Sequence, residues 1–276
     1  MPNLFHIERI GNQRSNIKWQ EGQREKIAEL YQQKYSIRQI SRMFGGLHYN
    51  TIKKILKEYD VSLRTPAQSH YQDNRCENIF ENIDTEEKAY WLGFLCGDGC
   101  VFENYIRISL HKKDIHHLEK FRAFLKADSI HIRSSGEYCS FSIGCKKMAE
   151  DLKKWGCVER KSLILKIPSI DENLMCDWLR GLFDADGGIS YIKKANRWQS
   201  YLTSTKEVCD FYVSFLDINT KPFKEHRCKN NTYRVDFNGR LSVLKKLNIL
   251  YRQNTATIYL DRKYALYQQL LSTLQQ

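Results

Sequence analysis

Two short segments of the 276-residue chain hold the residues best suited to chemistry. Trp91 to Gly99 reads WLGFLCGDG, and Leu179 to Gly187 reads LRGLFDADG. Each has a glycine, a small residue four positions later (Gly93/Gly97 and Gly181/Ala185), and then Asp-Gly at once. With glycine usage of about 7% in ordinary proteins, two such coincidences are not chance. One copy would be read as a turn with helix-packing glycines; two copies in a repeat bring a pair of carboxylates, Asp98 and Asp186, into play. A calcium-binding loop starting at Asp184 is excluded, because its twelfth position would be Ala195 where a bidentate Glu is needed.

Small residues at i and i+4 share one helix face and let two helix backbones approach closely. The segments are therefore expected to be helices packed on each other, with Gly93, Gly97, Gly181 and Ala185 at the interface. Gly99 and Gly187 are expected to end these helices in the left-handed conformation, leaving Asp98 and Asp186 in the last turns, converging at one end. Carboxylates there oppose the helix dipole, and two of them about 5 Å apart repel by a few kcal/mol at an effective dielectric near 20. A hard divalent cation, Mg²⁺ or Mn²⁺, would offset that cost by accepting carboxylate and backbone carbonyl oxygens together with water and phosphate.

The flanks repeat as well. Phe124-Leu125 matches Phe215-Leu216, and Leu152-Lys153-Lys154 matches Leu244-Lys245-Lys246, at offsets of about 90 residues. After each motif come alternating strands (Tyr105 to His111; Gln199 to Thr203), a helix (Asp114 to Lys126; Lys206 to Asp217), two more strands and another helix. The fold expected is α+β, two αββαββα repeats at 85–168 and 169–276. In the strand at 105–111, Tyr105, Arg107, Ser109 and His111 alternate with Ile106, Ile108 and Leu110, one face polar and one apolar.

Ahead of the repeats, Glu21 to Lys57 has helical spacing: Ile27, Leu30 and Tyr31, then Ile37, Ile40 and Phe44, then Ile52, Ile55 and Leu56. Ser36 is the expected N-cap of a second helix, Gly45-Gly46 breaks the chain, and a third helix starts near Asn50-Thr51. That is the layout of a helix-turn-helix domain over 1–65. Its last helix carries Tyr49, Asn50, Thr51, Lys53, Lys54 and Lys57 outward, a mixture suited to base edges and phosphates in a major groove. A three-helix protein-interaction domain is the alternative. Residues 66–84, polar and weakly patterned, are expected to be a linker.

Composition points the same way. The chain has 44 Lys+Arg against 32 Asp+Glu, a formal +12, which favours a polyanionic partner over acidic small substrates. No apolar run approaches the roughly 18 residues needed to cross a bilayer, and residues 1–20 lack a signal-peptide core, so a soluble, intracellular protein is expected. The nine cysteines form no C-x-x-C pair and read as reduced, mostly buried thiols. Cys96 and Cys100 are the close pair near the proposed site; with no second pair beside them they do not suggest a metal centre.

Taken together, from about Thr85 onward the chain resembles the LAGLIDADG homing endonuclease family in its two-motif, single-chain form. Arg160-Lys161-Ser162 with Ile167-Pro168 resembles the family's segment between halves, and Tyr259 to Tyr264 its C-terminal helix start. The resemblance implies a pseudo-twofold monomer whose motif helices form the central interface, each half laying an antiparallel sheet on one half-site of double-stranded DNA. It implies that Asp98 and Asp186 hold divalent metal, with the Gly97 and Ala185 carbonyls as further ligands. Water activated there would attack the scissile phosphate and leave short 3′ overhangs. Lys161 matches the basic residue that assists; its counterpart by repeat alignment falls near Arg252 or Gln253, which leaves equal cutting of the two strands in doubt. Arg107, His111, Lys112, Lys113, Arg133, Lys193, Lys194, Arg197 and Arg234 would supply phosphate and base contacts. Two other readings stay open, a maturase binding intron RNA and a regulator that binds DNA without cutting. An intein is not expected, because Met1 and Leu274-Gln275-Gln276 lack splicing residues.

Overall fold

The computed structural model describes residues 8–9, 17–33, 35–64, 77–159, 161–225 and 232–273. Backbone contacts divide the chain into two units, Met1–Asn74 and Arg75–Gln276.

In the first unit a short antiparallel pair, β1 (Glu8–Arg9) and β2 (Ile17–Lys18), precedes three helices, α1 (Gln23–Gln32), α2 (Ile37–Met43) and α3 (Tyr49–Glu58). The helical spacing in the sequence becomes the core: Ile27, Leu30, Ile40, Phe44, Ile52 and Leu56 are all buried together. Ser36 closes a capping box with Gln39, satisfying two of the amides a helix start leaves without partners. Gly45 and Gly46 take left-handed φ of 65° and 79°, which only glycine adopts cheaply, and so turn the chain between α2 and α3. His48 caps α3, its ring nitrogen accepting from the Asn50 amide at 3.2 Å. After α3 the chain is pinned back: the Arg64 amide donates to the Tyr31 hydroxyl at 3.0 Å, and its guanidinium lies 4.0 Å above the Tyr31 ring.

The second unit repeats one pattern twice. The first half runs α4 (Glu86–Asp98), β3 (Gly99–Phe102), β4 (Tyr105–His111), α5 (Ile115–Phe124), β5 (Arg133–Ser135), β6 (Tyr138–Gly144) and α6 (Lys146–Lys154). The second runs α7 (Met175–Asp186), β7 (Gly187–Ile192), β8 (Arg197–Ser204), α8 (Lys206–Phe215), β9 (Phe223–Lys224), β10 (Tyr233–Asn238) and α9 (Arg240–Leu250), and a further helix, α10 (Asp261–Ser272), follows. Each half forms a four-stranded antiparallel sheet, ordered β3-β4-β6-β5 and β7-β8-β10-β9. The αββαββα order expected twice is the order found.

The alternation in β4 is literal: Ile106, Ile108 and Leu110 are buried, while Arg107 and Ser109 are exposed. Opposite them in β6, Cys139, Phe141 and Ile143 are buried as well. One apolar core therefore lies under both sheets and around α4 and α7. The expected linker ends too late, however. Ile79, Phe80 and Ile83 are buried in this core, and the Trp155 indole donates to the Phe80 carbonyl at 2.8 Å. Residues 77–84 thus belong to the second unit. Their three apolar side chains lie too close to the following helix to show a period of their own; the rest of the expected linker lies outside the described residues. Among the described residues no helix is long and apolar enough to cross a membrane.

Candidate active site

Helices α4 and α7 meet through their glycines. A Cβ built on Gly93 would lie 2.0 Å from the Trp178 carbonyl oxygen, and one on Gly181 would lie 2.0 Å from that of Tyr90. These reciprocal distances show a local twofold, backbone resting directly on backbone. One turn further on, a Cβ on Gly97 would lie 2.3 Å from Ala185 Cβ and 2.9 Å from the Asp186 carboxylate. Asp186 therefore leans over the backbone beside Asp98, and the two carboxylates converge at the paired helix ends.

The residues that follow have a different role from the one expected. Gly99 (φ −77°, ψ 148°) and Gly187 (φ −94°, ψ 178°) are extended, not left-handed. A Cβ on Gly99 would sit 2.5 Å from the Leu95 carbonyl oxygen, and one on Gly187 2.6 Å from that of Phe183. Glycine is required here because β3 and β7 leave directly over the last turn of the helix. No left-handed cap intervenes, so each Asp sits at the joint between helix and strand.

Both carboxyls resist ionisation. Asp98 reaches solvent and Asp186 is half-buried, but the protein mass around each displaces its hydration. This pushes Asp98 up to about 6, with Lys263 and Lys161 pulling the other way. It pushes Asp186 up to about 7, with the charge of Asp98 adding to the rise. Among the described residues no group of three or more His, Cys, Asp and Glu side chains gathers as a metal cluster. The donor set is two carboxylates that repel each other, with backbone carbonyls alongside. That set fits a hard divalent cation completed by solvent and phosphate oxygens, and does not fit a closed protein cage.

Two buried lysines stand behind the pair. Lys161 is 8% exposed and its ammonium donates to the Gly99 carbonyl. Lys263 is 2% exposed and donates to the carbonyls of Phe183 and Asp184, both at 2.7 Å, and of Gly187 at 2.5 Å. Gly99 and Gly187 are corresponding residues, so Lys263 is the counterpart of Lys161, and the expectation of Arg252 or Gln253 is corrected. Lys161 lies 62 residues after its glycine and Lys263 lies 76 after its own. The longer second half carries the lysine past the place a fixed repeat offset points to. Arg252 instead bonds Asp177. Burial pushes Lys263 down to about 8, against the pull of Asp184.

The sequence reading also missed Asp184. It is 1% exposed and accepts from the Leu260 amide (2.7 Å), the Tyr90 hydroxyl (2.9 Å) and the Tyr251 hydroxyl (3.0 Å). Leu260 is the residue before α10, the helix that carries Lys263, so this carboxylate ties the end of α7 to the start of α10. Its counterpart is Cys96, whose thiol lies 3.1 Å from that of Cys157. Cys100 is exposed on the polar side of β3, so Cys96 and Cys100 do not converge. An acidic residue two before the motif Asp was the available signal, and it is present in one copy alone.

The candidate contact residues fall in three places. In the first unit, Asn50, Lys54 and Lys57 are exposed along α3 and Thr51 and Lys53 partly so; Lys53 reaches the Tyr49 hydroxyl at 3.1 Å. Arg107, His111 and Arg133 lie on the polar face of the first sheet, with Lys112 and Lys113 in the turn after β4. Lys193 and Lys194 lie in the β7–β8 turn, and Arg197 and Arg234 on the polar face of the second sheet.

No protein-family model matches the chain. An uncharacterized protein of Methanocaldococcus jannaschii is 27% identical over 198 residues, covering 67% of this chain and 73% of its own. Among solved structures the chain is similar to LAGLIDADG meganucleases. I-SmaMI bound to an uncleaved DNA target in the presence of calcium ions aligns with a TM-score of 0.48 and 15% identity, over 67% of this chain and 89% of that one. I-AabMI bound to uncleaved DNA gives 0.45 and 17%, over 67% and 88%.

Proposed function

We propose that this protein is a site-specific, divalent-metal-dependent DNA endonuclease of the LAGLIDADG type, a monomer that makes a double-strand break with short 3′ overhangs at a long duplex target. The observation that carries the reading is the convergence of Asp98 and Asp186 at the ends of two glycine-packed helices, each backed by a buried lysine, in a unit bearing two polar-faced antiparallel sheets. Both motifs reside in one chain, so one copy forms the whole pair. The first unit, in this reading, is a helix-turn-helix module whose α3 lies in a major groove, so that the full target is longer than the two sheets alone would cover.

Bound at Asp98, Asp186 and the Gly97 and Ala185 carbonyls, Mg²⁺ or Mn²⁺ would neutralise the carboxylates and act as a Lewis acid on a phosphodiester. The chain's own residues do the rest. The glycine contacts hold the carboxylates together, and the raised ionisation values mean that the pair binds cation in exchange for protons. Lys161 has one ammonium hydrogen committed to Gly99, which leaves two to donate toward the phosphate or its attacking water. Lys263 spends all three on carbonyls at the end of α7. It serves as a positioning residue that offsets the exposed carbonyl charge of that helix end.

The experiment is to incubate the protein and its Asp98→Asn and Asp186→Asn variants with the DNA that flanks its own gene, joined as though the gene were absent, in Mg²⁺. Discrete ends from the parent and none from the variants, with duplex binding retained, support the reading. Binding without cleavage by the parent would favour a regulator, and tighter binding of intron RNA than of duplex would favour a maturase.

A further inference from the structure

The two sheets occupy corresponding positions but do not carry corresponding charges. Their registers can be superposed on the motif glycines: Gly99 pairs with Ile108 and Gly187 with Leu202. Arg107 then corresponds to Tyr201, and its cross-strand partner Ser142 to Asp236, the partner of Tyr201. By the same superposition Ser140 corresponds to Arg234, and Arg133 to Phe223.

On the first sheet, Arg107 and Arg133 line one cavity with Ile130, His131, Ser140 and Ser142. Neither arginine has an ion-pair partner among the described residues, and no carboxylate lines that cavity. On the second sheet the corresponding positions hold one arginine, which is already engaged. Arg234 donates to Asp236 at 2.6 Å, has Glu225 at 3.9 Å, and lies 3.9 Å over the Tyr201 ring. A Cβ on Gly188 would meet that ring at 2.4 Å, so the glycine lets Tyr201 lie flat across the sheet beneath the guanidinium. This is a built arrangement of a compensated cation on an aromatic.

We propose that the two half-sites are read unequally at the centre of each sheet: there the first sheet supplies an electrostatic anchor to the duplex backbone, while the second, with its arginine neutralised by Asp236, reads base edges and keeps its other cations, Lys193, Lys194 and Arg197, at the β7–β8 end. The inference rests on the endonuclease reading. It follows from counter-ion release, in which each phosphate neutralised by a protein cation contributes about −0.9 to the slope of log affinity against log salt concentration. Arg107 lies 5.4 Å over the Tyr105 ring, but neither it nor Arg133 has a carboxylate partner among the described residues, so each can contribute; a guanidinium shared with Asp236 cannot do so fully. A carboxylate at the groove surface repels phosphate and accepts a hydrogen bond from cytosine N4.

The test is binding of a random-sequence duplex by the full chain, across a series of KCl concentrations without divalent metal. Arg107→Ala and Arg133→Ala are each expected to reduce the steepness of the slope by about 0.9. Asp236→Ala is expected to act in the opposite sense, tightening binding and steepening the slope by up to about 0.9, because it releases Arg234. That gain should vanish in Asp236→Ala/Arg234→Ala. These side chains lie on the polar face, and circular dichroism of each variant will verify the fold. An unchanged slope in Asp236→Ala, or in both first-sheet variants, overturns the inequality. If the parent shows no salt-dependent duplex binding, the endonuclease reading falls with it. If the parent binds and cuts while the variants behave otherwise than expected, the inequality alone falls.

Discussion

Replacing Gly93 or Gly181 by alanine tests whether the motif is a packing device before it is anything else. In a helix the substitution would ordinarily stabilise, by about 1 kcal/mol, because alanine is the better helix former. Here the new methyl would stand 2.0 Å from a carbonyl oxygen of the facing helix, with a backbone nitrogen of the same helix at 2.9 Å for Gly93 and 2.8 Å for Gly181. To reach an ordinary contact of 3.4 Å the helices would have to part by about 1.4 Å, and the groups in the way are backbone and cannot rotate aside. Overpacking of this kind costs about 1–3 kcal/mol or more. A second cost comes from parting the Asp98–Asp186 pair, which should appear as weaker cation binding. A net loss of about 2 kcal/mol in a unit of this size lowers the melting temperature by about 4–8 °C. Scanning calorimetry of the two variants is the assay. Gly144→Ala serves as the control, since its Cβ would meet only the Asn104 carbonyl oxygen, at 4.0 Å, in an ordinary contact. Melting of Gly93→Ala and Gly181→Ala at or above the parent's temperature would refute the close-approach argument.

Removing metal should make stability fall with rising pH. Asp98 and Asp186 hold protons up to about 6 and about 7 in the folded chain, against 3.8 for the free carboxyl. The folded state therefore binds more protons than the unfolded one across that window, and the stability they confer is present below about pH 4 and lost as pH rises through about 7. His117, pushed down to about 3 by burial, works in the opposite sense, so the informative quantity is the parent minus Asp186→Asn, with melting in a chelator as the measurement. The lysines should separate by assay. Lys161→Ala should slow strand cleavage by roughly a hundredfold or more, with a smaller drop in melting temperature than Lys263→Ala because it strips one carbonyl of its lysine and not three. Lys263→Ala removes the donor shared by three carbonyls, of which that of Phe183 keeps the Gly187 amide; at about 1–3 kcal/mol for each carbonyl left unsatisfied it should lower the melting temperature markedly. In the first unit, Lys54→Gln with Lys57→Gln should weaken duplex binding and flatten its salt dependence while leaving the cleavage rate of saturated complexes intact, read by anisotropy and single-turnover kinetics.

The sequence made the repeat legible because its physical requirement is local. A helix that lies against another backbone needs small residues four apart, and a strand buried on one face needs alternation; both patterns survive in Gly93/Gly97 and in Tyr105–His111. The α2 cap was legible at Ser36 for the same reason, since a cap acts within its own first turn; the return contact from Gln39 is what the structure adds. What stayed hidden depends on distance along the chain. Lys263 meets Gly187 across 76 residues, and no short-range period records that. Asp184 looks like a second surface acid beside Asp186 until the Tyr90, Tyr251 and Leu260 donors close around it. The left-handed expectation at Gly99 and Gly187 failed because glycine after a helix has two uses, turning the chain and clearing space. Only the facing carbonyls of Leu95 and Phe183 tell them apart.

The carbonyls at the two helix ends explain how the site can sit where local rules oppose it. A helix end presents carbonyl oxygens without partners, and a carboxylate in the last turn adds negative charge to that end. In the second half, Lys263 lies against three of these oxygens and offsets both sources of charge, while the Asp184 carboxylate fixes the helix that delivers it. In the first half, Lys161 lies against one oxygen, and Cys96 takes the place of the buried acid. The two halves therefore balance the same unfavourable joint with different resources. The second is the more fully hydrogen-bonded, its lysine used on three carbonyls and its network closed by two tyrosines and an amide. The first keeps ammonium hydrogens in reserve, and its aspartate is the more open to solvent. A repeat that is symmetric in backbone is thus asymmetric in chemistry. The asymmetry arises at the positions where one copy binds its own helix end and the other is left free to bind something else.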